Sequence, residues 1–84
     1  MNRTDNLTIL LFGSIRESLG CAQIEIPGMN GKTVIELKEY LADRFHNTSD
    51  IMRCMIAVNQ CYASDDTKLN SFHEIALIPP VNGG

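Results

Sequence analysis

The sequence predicts an α+β domain in which one sheet packs on one main helix. Three observations carry this: five short apolar or alternating runs, a single long amphipathic stretch, and their order β, β, α, β, β, β along the chain. At 84 residues, with 44% hydrophobic and 20% charged side chains, the chain has room for one core and a composition typical of globular domains.

The first strand is read over residues 8–12, an apolar run containing a β-branched residue and ended by Gly13. Residues 22–26 alternate strictly and stop at Pro27-Gly28, which makes them the second strand. The connection over 14–20 is too long for a two-residue hairpin turn and has the character of a single helical turn. It is expected to be a structured loop that leaves through Gly20. The breaker cluster over 27–31 leads into the clearest helix start in the chain, where Thr33 and Glu36 form a capping box. Val34, Leu37, Leu41 and Phe45 then recur at helical spacing. The helix is expected to stop near His46-Asn47, where a run of turn residues begins. Met55-Ile56-Ala57-Val58 is the third strand, Asn59-Gln60 a tight turn, and Cys61-Tyr62-Ala63 a short returning strand. After a loop carrying Leu69 and Phe72, Ile75-Ala76-Leu77-Ile78 is the last strand. Pro79-Pro80 must end it, because neither proline can donate a ladder hydrogen bond.

The first and last strands are apolar at successive positions, the pattern of central strands buried on both faces, yet one helix covers only one face. Alternation puts Leu10 and Phe12 on the face opposite Ile9 and Leu11, and Ala76 and Ile78 opposite Ile75 and Leu77. Either a partner covers the second face, or loops 14–20 and 64–73 fold over it.

Seven basic against ten acidic residues give a net charge of −3 without a basic cluster, which argues against a nucleic-acid partner. The longest apolar runs, such as 9–12, fall far short of the about 18 residues that read as a membrane span. The polar start does not resemble a secretory signal, so no membrane partner and a cytoplasmic address are expected. Cys21, Cys54 and Cys61 contain no metal-ligand spacing and form an odd set, so they read as free thiols with no metal site. Cysteine catalysis would need a thiolate beside a base, and no local motif surrounds any of them or His46 and His73. Asp65-Asp66, or Glu17 with Glu25, read as solvated carboxylates. Gly28-x-x-Gly31-Lys32-Thr33 is too short an interval for a phosphate loop and reads as a turn into the capped helix.

The tail has its own chemistry. Residues 1–80 are expected to form the domain and 81–84, Val81-Asn82-Gly83-Gly84, a flexible tail. Without side chains, Gly83-Gly84 can thread a narrow channel, while Pro79 and Pro80 restrict how the tail leaves the sheet. From Pro79 onward the chain can reach about 20 Å at about 3.3 Å per residue. A carboxylate on Gly84 is a poor electrophile and would need activation, for instance adenylation with ATP, before a nucleophile attacks its acyl carbon.

Two stretches, Ile75-Ala76-Leu77-Ile78-Pro79-Pro80-Val81-Asn82-Gly83-Gly84 and Leu11-Phe12-Gly13-Ser14-Ile15-Arg16-Glu17-Ser18-Leu19-Gly20, resemble the ubiquitin-like β-grasp sulfur carriers. Among these the chain is most similar to the small subunits of molybdopterin synthase. The resemblance spans nearly the whole chain. It implies a mixed sheet of about five strands on one main helix, and a non-catalytic sulfur-carrying subunit with no bound cofactor. ATP would be used by a ubiquitin-activating-type adenylating enzyme that forms an acyl-adenylate on Gly84, and sulfur delivery would convert this to a thiocarboxylate. The tail would then enter the large synthase subunit and give sulfur to cyclic pyranopterin monophosphate within a heterotetramer. Phe12 and Ile78 would lie on the partner face, and Arg16 would hold the interface or its loop. The chain departs from the family at Ile78, where an aromatic residue is common. It departs again at 70–74, where an acidic-glycine turn is usual and Phe72 would resist positive φ. Carriers for thiamine, cysteine or tRNA thiolation, a ubiquitin-like protein modifier joined through Gly84 to a lysine, and a module using only the apolar face are the competing readings.

Overall fold

The computed structural model describes residues 6–46 and 48–80. Strand β1 (Leu7–Leu11) buries every second side chain, Leu7, Ile9 and Leu11, as period-two geometry requires of a strand with one face on the core. Helix α1 (Gly13–Leu19) follows directly, and β2 (Gln23–Ile26) returns antiparallel to β1. Here the structure differs from expectation, because the 14–20 connection is a two-turn helix. The reason is tertiary: Ile15 and Leu19 fall on one helical face, where Ile15 is buried in the core and Leu19 packs against it. Gly20 takes the left-handed conformation, φ 75°, at the exit.

Helix α2 (Val34–Phe45) carries the core stripe Val34, Leu37 and Leu41. Its first four amide groups, which no helix can satisfy internally, all have partners. Thr33 N–H donates to Glu36 Oε1 at 2.8 Å and Glu36 N–H to Thr33 Oγ1 at 3.4 Å, completing the capping box. Val34 N–H and Ile35 N–H donate to the carbonyls of Thr67 and Asp65. With its donors taken by the chain itself, the glycine turn before α2 is an entry to a helix and not an anion cradle, as its spacing indicated. His46 closes α2 in the left-handed region at φ 54°.

A second difference follows. The stretch after α2 read as turn residues, yet Thr48–Met52 is a short helix, α3, that plugs the core with Ile51. Strand β3 (Met55–Val58) and β4 (Cys61–Tyr62) are joined by Asn59-Gln60, both at positive φ (51° and 71°), the requirement of a type I′ hairpin turn. Strand β5 (Ile75–Ile78) completes a five-stranded sheet in the order β2-β1-β5-β3-β4. Among the described strands, only β1 and β5 pair in parallel; the other three strand pairings of the sheet are antiparallel. The mixed sheet and central β1 and β5 agree with the sequence reading.

Residues 70–74 turn without any positive φ. His73 N–H donates to the Asn70 carbonyl and Asn70 N–H to His73 Nδ1, so side-chain and backbone bonds stand in for a glycine and leave Phe72 exposed to solvent.

Candidate functional site

Residues directly opposite each other in a ladder share a face of the sheet. Leu10 pairs with Ala76, Ala76 with Ala57, Ala57 with Tyr62, and Met55 with Ile78. These side chains, with Phe12, therefore lie on the face away from α2. Phe12 is 44% exposed, Met55 46% and Tyr62 69%. Leu10, Phe12, Ala57, Tyr62, Ala76 and Ile78 line a shallow concavity of about 400 Å³ with Gln60 and Glu74 at its polar end. On the flank, Gln23 and Glu25 of β2 stand opposite Leu10 and Thr8, giving the patch a second polar border. An apolar centre rimmed by polar residues is the anatomy of a protein interface.

The loops do not cover this face. Ile15 of the 14–20 connection and Leu69 of the 64–73 loop both insert into the core on the α2 side, and Phe72 stands free at 81% exposure. Of the two alternatives that the sequence left open, loop cover is excluded among the described residues.

Parallel pairing decides where the patch sits along the sheet. Leu11 is in register with Leu77, so Phe12 and Ile78 leave the two strands side by side at the same end. Pro79 and Pro80 continue from there, half-buried and exposed respectively, along a groove shared with Ser14, Ile15, Asp50 and Arg53. The apolar face thus ends where the C-terminal segment begins. Val81, Asn82, Gly83 and Gly84 lie outside the described residues.

Arg16 belongs to different surroundings. Exposed on α1, it lines a groove with Gly13, Glu17, Gly20, Cys21 and Ala22 and is not part of the Phe12–Ile78 concavity. Cys21 and Cys61 are exposed, whereas Cys54 is buried, donates its thiol to the Asp50 carbonyl at 3.2 Å, and has its pKa pushed up by desolvation. That is the reverse of an activated thiolate. Asp65 accepts at the start of α2 through its carbonyl, Asp66 accepts from Ser64 Oγ, and Glu25 from Asn6 Nδ2, so these carboxylate residues serve local structure. Met55 and Tyr62 are patch residues that the sequence reading did not single out. The Asn59-Gln60 turn held the missing signal, since it fixes the β3–β4 register and with it the face each residue takes.

The profile of the ThiS family matches residues 9–84. The chain belongs to the ThiS family. It is 36% identical to the molybdopterin synthase sulfur carrier subunit of Dictyostelium discoideum over 96% of this chain and 99% of that protein. To the subunit of the same name from Escherichia coli it is 32% identical, over 93% and 99%. Among solved structures, a Pyrococcus furiosus chain described as molybdopterin converting factor subunit 1 superposes with a TM-score of 0.76 at 25% identity, covering 90% of this chain and 98% of that one. A chain from the complex of subunits 1 and 2 of molybdopterin-converting factor of Helicobacter pylori gives a TM-score of 0.65 at 26% identity, covering 94% and 99%. The fold is the ubiquitin-like β-grasp, as the resemblance implied.

Proposed function

We propose that this chain is the sulfur carrier subunit of a molybdopterin synthase, acting through the carboxylate of Gly84. The observation that carries the reading is the continuity between the apolar sheet face and the C-terminal segment: Phe12 and Ile78 meet at the root of Pro79-Pro80. A partner that docks on the face receives the tail at the same edge. The names of the relatives support the assignment, and the partner is the large synthase subunit, in keeping with the two-subunit complex among the structural neighbours.

The chemistry divides between chains. A ubiquitin-activating-type enzyme uses ATP: a Gly84 carboxylate oxygen attacks the α-phosphorus and pyrophosphate leaves. A sulfide-level nucleophile then attacks the acyl carbon of the adenylate, AMP departs, and the net change is one carboxylate oxygen replaced by sulfur. The thiocarboxylated tail enters the large subunit, which supplies the catalytic pocket in a heterotetramer, and sulfur passes to cyclic pyranopterin monophosphate. This chain contributes the docking face, residues 1–80, and the reactive tail, 81–84. Arg16 lies one turn into α1 from Phe12 but outside the Phe12–Ile78 concavity, and its role is to hold the interface or its own loop. The carrier itself holds neither ATP nor a metal. No described helix is long and apolar enough to cross a membrane, and the reaction is assigned to the cytoplasm, where ATP is available.

The test is the intact mass after incubation with ATP, the adenylating enzyme and a sulfur source. The expected result is exchange of one oxygen for sulfur in the full chain, and none after deletion of Gly84, with partner binding retained in both. An unchanged mass with every activating enzyme tried would overturn the reading. High-mass conjugates persisting under reducing denaturation would replace it with a protein modifier.

A further inference from the structure

The open face carries its charge at one end. Glu74 lines the apolar concavity at the end away from Pro79, and among the described residues no basic side chain lines it. Glu25 of β2 stands opposite Thr8. Thr8 and Glu74 each come one residue before the parallel pair Ile9 and Ile75, so Glu25, Thr8 and Glu74 form a row across three neighbouring strands. With strands about 4.8 Å apart, the two carboxylates stand on the order of 10 Å from each other. The tail end differs. There Arg16 shares a groove with Glu17, and Arg53 shares one with Asp50, Pro79 and Pro80, so charges of both signs border it. From Glu74 to Pro79 the chain runs roughly 16 Å along β5, at about 3.3 Å per residue. That is about twice the Debye length of about 8 Å at physiological ionic strength, so the tail end does not neutralise the acidic row.

Apolar contact is non-directional and does not decide which way round a partner lies on a sheet. Only one way round brings the partner's pocket to the tail. We propose that the carboxylates of Glu25 and Glu74 make that choice: they mark the end of the apolar face farthest from the tail and meet a lysine- or arginine-bearing border on the large subunit. The proposal rests on the carrier reading and adds to it what orients the docking. Charges at the rim of an interface act on the rate of encounter and its salt dependence, while the apolar centre holds the complex once it has formed.

The experiment is stopped-flow association of the full-length carrier with the large subunit at low and high salt, comparing wild type with the Glu25→Gln/Glu74→Gln double variant. Both changes are isosteric. Residue 25 keeps an oxygen for Asn6 Nδ2, and residue 74 bonds Asn59 through its backbone N–H and carbonyl, so the thermal midpoint should not move. Association is expected to slow about tenfold at low salt with dissociation unchanged, and the difference should vanish at high salt. Glu39→Gln/Asp43→Asn removes as much charge from exposed positions on α2, on the other side of the sheet, and should leave association near wild type. Adding Arg53→Glu to the first pair restores the net charge of −3 but moves negative charge to the tail end, and association should stay slow. Unchanged association in Glu25→Gln/Glu74→Gln overturns the proposal. Equal slowing by the α2 pair, or recovery on adding Arg53→Glu, overturns it as well, because net charge alone would then be acting. If the double variant fails to fold, Glu74→Gln alone decides by the same salt comparison. In each of these cases wild type still binds the large subunit and the carrier reading stands, whereas a wild type that does not bind it brings down both.

Discussion

Thr33 and Glu36 show how two side chains can hold the start of the main helix. The Glu36 carboxylate is exposed, yet its pKa is lowered below 4.5, first by the backbone N–H of Thr33 and then by the Thr33 hydroxyl. A carboxyl group lowered in the folded state contributes stability that is present above its unfolded pKa and lost as pH falls through the folded value. Thr33→Ala removes the N-cap side chain and should cost about 1 kcal/mol near neutral pH, the usual figure for that loss. Because the substitution removes the hydroxyl but leaves the backbone N–H, the larger cause, it should flatten only part of the decline of stability below pH 4.5, measured by urea denaturation across a pH series. Both residues were legible in the sequence because a capping box spans only four consecutive residues and needs no tertiary information.

Short elements behave otherwise. Helix α2 could be read from its own stripe of apolar residues, but α1 and α3 each offer the core one fully buried side chain, Ile15 and Ile51. One buried residue, or the single i, i+4 pair Ile15 and Leu19, is too short a pattern to establish a period, and isolated helices of five to seven residues are marginal without packing. Turn residues in 48–50 and the single-turn character of 14–20 were thus overridden by contacts distant in sequence. The β3–β4 hairpin keeps a residue at odds with its backbone, Gln60 at φ 71°. Gln60→Gly relieves that conformation, worth about 1–2 kcal/mol, against about 0.5–1 kcal/mol of added chain entropy, and should raise the urea midpoint with the slope unchanged. An unchanged or lower midpoint would mean that the Gln60 side chain contributes packing beside Tyr62 that outweighs the backbone gain.

Across the molecule, one strand serves two purposes in alternation. Leu11 is 1% exposed and packs in the α2-side core, while its neighbour Phe12 is 44% exposed on the opposite face. Leu11→Ala should lower stability by about 2–5 kcal/mol through the cavity it leaves, and any loss of assembly should follow from unfolding. Phe12→Asp should do the reverse, keeping the thermal midpoint close to wild type while weakening association with the large subunit by a few kcal/mol, because it sets an unpaired charge at the interface. Calorimetric titration of the two folded variants separates the cases. Comparable losses of binding in both would remove the distinction between core face and docking face.

Local patterns were enough to establish the α+β class, the five strands, the capped helix and the two-faced character of residues 9–12 and 75–78. Each is a property of neighbouring residues: periods of two and 3.6, turn chemistry, and prolines that end a ladder. Which strands pair, and in which direction, is not of that kind. Ile9 finds Ile75 across most of the chain, and that parallel register alone brings Phe12 beside Ile78 at the root of the tail. The same long-range pairing assigns Met55 and Tyr62 to the open face and sends the connecting loops to the other side. Those arrangements are set by the mutual packing of distant segments around one core, which no local period encodes.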